Sequence, residues 1–141
     1  MTKPKKHYLS ETHLSKQLAI GLVSSETEFQ ISLLLNNTLR IKLALSEPIV
    51  KEIKAKQICF PCFKYFFDDL PGVVLVKNKT NQHVLLASHA NFDYILIFSG
   101  EEAAIYSEKC LTLLKTNPQF SLIVPIATET LTNLNKLISA Q

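Results

Sequence analysis

The chain has 141 residues, 47% of them hydrophobic and 19% charged, with a formal net charge of +3. That is the make-up of one globular domain able to bury a core without metal or disulfide support, and it excludes a chain disordered throughout. The charge is too small for a phosphate-tracking surface, no apolar run reaches the roughly 18 residues of a membrane span, and three glycines are too few for a phosphate-cradling loop.

Residues 1–12 read as a flexible basic leader, crowded by Lys3, Lys5, Lys6 and His7, with no apolar stretch behind it to make a signal peptide. One domain is expected over 13–141. LAIGLVS (18–24) is a short apolar run, read as a buried strand. Ser25 with Glu28 forms a capping-box pattern ahead of Phe29, Ile31, Leu34 and Leu35, so a helix is expected to run to the stop at Asn36-Asn37. LRIKLAL (39–45) alternates, with Leu39, Ile41, Leu43 and Leu45 on one side and Arg40 and Lys42 on the other, as a strand with one wet face does. Ser46-Glu47-Pro48 breaks it. Residues 49–56 are undecided in period, with a helical turn or two as the reading.

QICFPCFKYFF (57–67) is an aromatic strand in which Pro61, unable to donate to a ladder, marks an edge or a bulge. Asp68-Asp69-Leu70-Pro71-Gly72 is a turn cluster. VVLVKN (73–78) and HVLLAS (83–88) are expected to pair as a hairpin across Lys79-Thr80-Asn81-Gln82. FDYILIF (92–98) is the next strand, with Phe92, Tyr94, Leu96 and Phe98 on one face and Asp93, Ile95 and Ile97 on the other. Ser99 and Glu102 offer a second capping box, and Ala103, Tyr106, Cys110, Leu113 and Leu114 line the helix that follows, which Asn117-Pro118 ends. FSLIVPI (120–126) is a strand. Thr128 can cap a last helix with a stripe of Leu131, Leu134, Leu137 and Ile138. Strands joined by short turns run antiparallel, and each strand-helix-strand unit returns parallel. The expected fold is α+β: one mixed, mostly antiparallel sheet with helices packed on one face, a ferredoxin-type layout swollen by extra central strands.

Phe60, Phe63, Tyr65 and Asp69, then Leu75 with Asn78-Lys79-Thr80, then LLASHANFDY, follow one another as in a family named for its signature Ile-Pro-Glu-x-x-x-Val-Asp-Tyr, the IPExxxVDY family. The signature falls on Leu86–Tyr94. Asp93 and Tyr94 match it, Leu86 and Phe92 replace its apolar residues, and Ala87 and Ser88 stand where it has Pro and Glu. LAIGLVSSETEFQISLLLNNTLRIKLAL is similar to the family's opening strand and helix, so the resemblance spans roughly 17–126. The family is bacterial and has no assigned activity. The resemblance implies a small, cytoplasmic, single-domain protein and carries over no catalytic residue.

Ser88, His89 and Asp93 are the residue types of a hydrolase triad, but neighbours on a strand point to opposite faces and no Gly-x-Ser-x-Gly elbow is present. The plainer reading makes Asp93 and Asn91 acceptors for backbone N–H groups in the connection 89–91. Cys59-Phe60-Pro61-Cys62 has redox spacing, but its flanks read as strand and not as the helix N-terminus that lowers a thiol pKa. Cys59, Cys62, Cys110, His83 and His89 are the soft ligands at hand, and one Cys-x-x-Cys without a second pair is a weak zinc signal. No metal or cofactor is therefore expected. Three cysteines without an export signal suit free thiols in a reducing cytoplasm.

The aromatics of CFKYFF could stack bases, yet the RNA-module pattern is missing, so nucleic acid is an unfavoured partner. Alternation explains them more simply, as a strand covered on both faces. A partner chain is one source of the second cover, and an apolar edge strand holding Pro61 suits a homodimer joined through sheet faces or edges. The reading is a non-enzymatic interaction or adaptor domain, homodimeric, binding an unidentified protein through Phe63, Tyr65, Asp93 and Tyr94. The alternatives are a small-molecule sensor or enzyme with a pocket near Asp93 and Tyr94, and a weak RNA binder using Lys3–Lys6 and Lys51–Lys56.

Overall fold

The structure, a computed structural model, describes residues 17–67 and 70–127. Its elements in chain order are β1 (Gln17–Val23), α1 (Glu28–Leu39), β2 (Ala44–Leu45), β3 (Ile49–Ile53), β4 (Lys56–Phe60), β5 (Cys62–Phe67), β6 (Leu70–Lys77), β7 (Lys79–Thr80), β8 (His83–Val84), a 3-10 turn at Ala87–His89, β9 (Tyr94–Ser99), α2 (Ala103–Leu114) and β10 (Leu122–Ile126). The expected α+β fold is present. Six of the described strands form one sheet in the order β10-β1-β9-β6-β5-β2, and every neighbouring pair is antiparallel. The parallel returns exist too, but between strands that do not touch. β9 and β10 both oppose β1, so α2 joins two parallel strands across it. β10-β1-β9-β6 with α1 and α2 is the split β-α-β arrangement of a ferredoxin-type layout. The extra strands β5 and β2 extend the β6 edge.

Alternation along each strand divides the core into two clusters. Ile20, Leu22, Phe63, Val73, Leu75, Tyr94, Leu96 and Phe98 face the helices and meet Ile31, Leu35 and Leu39 of α1 and Ala103, Cys110 and Leu114 of α2. The opposite face gathers Ala19, Cys62, Val74, Val76, Ile95 and Ile97 with Ile49 and Phe60 of the β3–β4 ribbon and with Leu85, Leu86 and Phe92. The chain thus covers its own second face, which removes the reason for assigning that cover to a partner.

α1 begins two residues later than the Ser25/Glu28 pattern predicts. Ser24 Oγ is drawn away to the Gln119 carbonyl (2.6 Å), and Thr27 and Gln30 form the capping box instead. The helix also passes Asn36-Asn37 and ends at Arg40, whose φ of 57° is left-handed. Asn36 still acts at this end: its side chain clasps Leu43, donating to the carbonyl (3.2 Å) and accepting from the N–H (2.7 Å). That clasp holds residues 40–43 out of the ladder, so the expected strand 39–45 shrinks to Ala44–Leu45. Its alternation survives as burial of Leu39, Ile41 and Leu43, but Leu45 is exposed.

Residues 49–56 are strand, not helix. β3 and β4 form a hairpin whose turn, Lys54-Ala55, has φ of 52° and 65°, the positive pair that matches the twist of a tight hairpin. Pro61 does not bulge a single strand 57–67; it divides it. β4 goes to the ribbon and β5 to the main sheet, and only the Pro61 carbonyl is used, accepting from Lys77 N–H (3.0 Å). Asp68 and Asp69 lie outside the described residues, and Leu70–Gly72 open β6 after a register shift between Tyr65 and Phe66. The expected last helix after Thr128 lies outside the described residues.

The hairpin expected from 73–78 and 83–88 does not form: 73–77 belong to β6 and pair with β5 and β9, and the short β7–β8 ladder sets Lys79-Thr80 of the expected turn against His83-Val84. Beyond them Asn78 takes control. Its carbonyl accepts from Leu85 N–H (2.8 Å), and its fully buried side chain accepts from Leu86 N–H (2.9 Å) and donates to the carbonyls of His89 (2.9 Å) and Phe92 (3.0 Å). One asparagine therefore curls 85–92 over the sheet. Phe92 consequently lies on the opposite face from Tyr94, not beside it, because the strand starts only at Tyr94. A Cβ on Gly21 would come within 2.6 Å of the Phe92 ring, so β1 needs glycine there. The second expected capping box is also absent. Ser99 ends β9, and its Oγ sits 3.1 Å from Gln17 Nε2, leaving α2 without a side-chain cap bond.

Candidate functional site at the polar end of the sheet

Asp93 and Tyr94 enter the sheet where β1 ends and α1 is about to begin, and both reach across to that connection. Asp93 Oδ2 accepts from Ser24 N–H (2.9 Å) while Oδ1 lies 3.7 Å from Lys79 Nζ. The Tyr94 hydroxyl donates to the Glu26 carbonyl (2.5 Å). Burial raises the pKa of the Tyr94 phenol above its ordinary value, and the nearby carboxylates of Glu28, Asp93 and Glu26 add to the push. It stays a neutral donor at physiological pH. Next to it, Lys77 Nζ bonds Glu28 Oε1 at 2.9 Å. Burial works to raise the Glu28 carboxyl, but the Lys77 hydrogen bond, a backbone bond and the Lys77 charge outweigh it and hold the group below its ordinary value. Three strands thus converge on the start of α1: β9 through Tyr94 and the Asp93 that precedes it, β6 through Lys77, and β1 itself.

The expectation for Asp93 was an acceptor within its own turn; the structure makes it an acceptor for a loop distant in sequence. Val23, Ser24, Ser25, Glu26, Asp93, Pro118, Gln119 and Ser121 line an open depression of about 450 Å3 here. The Ser24 and Asp93 side chains are occupied in holding it together. Ser24 Oγ donates to the Gln119 carbonyl and accepts from Glu26 N–H (3.1 Å), and Ser121 N–H reaches the Val23 carbonyl (2.8 Å).

Ser88 and His89 are not on a strand. They lie on the exposed 3-10 turn, where Ser88 Oγ and His89 Nδ1 are 3.0 Å apart and the imidazole stacks on Phe92 with centroids 6.0 Å apart. The premise that they point to opposite faces therefore fails. The triad still lacks its acid, since Asp93 is committed to Ser24 and Lys79. Cys59 is exposed, whereas burial pushes the Cys62 thiol up to about 11, away from the lowered value a redox nucleophile needs. Among the described residues no three His, Cys, Asp or Glu side chains gather as metal ligands.

Phe63 and Tyr65 do not join Asp93 and Tyr94. The register aligns Phe63 with Leu75 and Leu96, and Tyr65 with Val73 and Phe98, further along the sheet than Tyr94. Phe63 is buried under α1, where Phe29 meets it edge-on at 5.4 Å, and Tyr65 packs against the same cluster.

An unexpected surface lies above Phe63. Phe29 and Leu33, one turn apart on α1, are 58% and 61% exposed, and Leu45, directly across from Phe63 in the β2–β5 ladder, is 62% exposed. The signal for it was in the sequence. Ile31, Leu35 and Leu39 already complete the buried stripe, which leaves Leu33 outward and Phe29 on the flank above Phe63, on a helix with no charge from Phe29 to Leu39.

No protein-family model matches this chain, and no curated protein matches it significantly. Among the described residues no helix is long and apolar enough to cross a membrane.

Proposed function

We propose that this chain is a bacterial, cytoplasmic interaction domain of the IPExxxVDY kind, acting as a homodimer and without catalytic chemistry of its own. The observation that carries the reading is the exposed Phe29 and Leu33 on an uncharged helix face, with exposed Leu45 on the edge strand β2. Protein interfaces are depleted of charge at their centre and enriched in such side chains. The two signature residues that match, Asp93 and Tyr94, support it indirectly: both fix the loop that launches α1 and so aim this face.

The sensor or enzyme alternative has one observation in its favour, the depression beside Asp93. Two of its polar side chains, Ser24 and Asp93, are already engaged within the chain, and a ligand site needs convergent polar groups left for the ligand. The RNA alternative loses part of its second basic cluster, because Lys51 Nζ is tied to the Leu85 carbonyl at 2.9 Å. The experiment is affinity capture from a bacterial lysate with the full chain as bait, beside sedimentation of the purified chain. Specific protein partners or a concentration-dependent dimer support the reading. A monomer that captures no protein but binds a metabolite overturns it.

A further inference from the structure

We propose that the outer face of α1 is this chain's self-association surface, packing antiparallel against α1 of a second copy about a two-fold axis at Leu33. The inference rests on the homodimeric reading above and assigns it a surface and a geometry.

α1 presents Phe29 and Leu33 outward with Gln30 and Asn37, all exposed, and carries no charge between its ends. A solvated helix usually interleaves charges on its outer face. α2 does so, with exposed Glu108 and Lys109 set between Ile105 and Leu113. The ends of α1 differ in sign: Glu26 stands at its start, beside a Glu28 already paired with Lys77, and Arg40 and Lys42 stand at its finish. Such a surface is complementary to itself only when reversed. A two-fold axis at Leu33 sets Leu33 against Leu33, Phe29 against Asn37, and Glu26 against Arg40 of the second copy. A parallel pairing would oppose acid to acid and base to base.

A self-matching patch with apolar centre and oppositely charged ends is what an isologous dimer requires. Leu45 on the edge strand β2 widens the contact beside Phe29, through their shared neighbour Phe63. Two helices of about 18 Å give a contact at the small end of specific interfaces, so a reversible dimer is expected, not a permanent one.

The test uses the full chain with Cys59→Ser, which removes the exposed thiol, and single added cysteines under mild oxidation. Leu33→Cys should cross-link to itself. Phe29→Cys should not, but should link when mixed with Asn37→Cys. Leu33→Glu, at an exposed position, should weaken dimerisation by roughly tenfold or more without altering the circular dichroism spectrum. Self-linking of Phe29→Cys as readily as Leu33→Cys would overturn the antiparallel geometry. A dimer that survives Leu33→Glu and gives no Leu33→Cys link would overturn the surface while leaving the homodimeric reading intact. A monomer at millimolar concentration would overturn both, and retention of another protein by its α1 face would then identify a different occupant.

Discussion

α1 and α2 are both 12-residue helices resting on the same face of one sheet, and they differ in nearly everything except what they bury. Inward, Ile31, Leu35 and Leu39 do for α1 what Ala103, Cys110 and Leu114 do for α2. Outward, α2 mixes its exposed Ile105 and Leu113 with Glu108 and Lys109, while α1 shows Phe29 and Leu33 in a stretch with no charge from Phe29 to Leu39. At the start, α1 has a capping box and is aimed by Asp93, Tyr94 and Lys77, whereas α2 has no side-chain cap bond. Water is adequate company for α2. The positioning of α1, and the bareness of what is positioned, are what a contact surface needs.

The largest expected effects test the claim that the inner faces are equivalent. Leu35→Ala and Leu114→Ala each remove a fully packed side chain, and each should cost about 3 kcal/mol in urea unfolding. A cost below about 1 kcal/mol for either one would mean that helix is not packed as described. The caps come next. Thr27→Ala removes the bond to Gln30 N–H and should cost about 1 kcal/mol, while Glu102→Ala, with no cap bond to lose and only its side-chain bond to Tyr106, should cost less.

The smallest effect is electrostatic. The folded pKa of Glu28 lies below the ordinary 4.5, so its contribution is fully present above that value and disappears as pH falls through the lower folded one. In Glu28→Gln that part of the acid-side loss of stability should be missing. The change should be modest, because the pair with Lys77 is partly exposed to solvent. An acid transition identical to the parent's would remove Lys77–Glu28 as an anchor of α1.

The same comparison shows which parts of the fold were legible in the sequence. Long periodic segments were: β1, β9 and both described helices fall where alternation or helical spacing places them, while the aromatic run is extended but split at Pro61 between two sheets. Their ends were not, because each end is decided by a partner remote in sequence. Ser25 and Ser99 have cap chemistry, but the chain turns into α1 only after Gln119 has engaged Ser24, and Ser99 is beside Gln17 on the adjoining strand. LRIKLAL alternates as a strand does, yet the Asn36 clasp keeps most of it outside the ladder. HVLLAS looks like a strand until Asn78 bends it, and a single buried asparagine leaves no periodic trace.

The candidate site was half legible. Asp93 and Tyr94 do sit at a junction, but as fasteners of the β1–α1 loop. Aromatic character marks core as readily as contact: Phe63 and Tyr65 pack into the core, while Phe66 on the same strand and Phe29 on α1 are exposed, Phe29 with Phe63 beneath it.

The most direct measurement is sedimentation equilibrium of the full chain beside two exposed-site variants, Leu33→Glu on α1 and Ile105→Glu on α2. The account predicts that the parent and Ile105→Glu share one dimer dissociation constant while Leu33→Glu remains monomeric over the same concentrations. A Leu33→Glu chain that dimerises as the parent does, or a dimer lost only in Ile105→Glu, would contradict it.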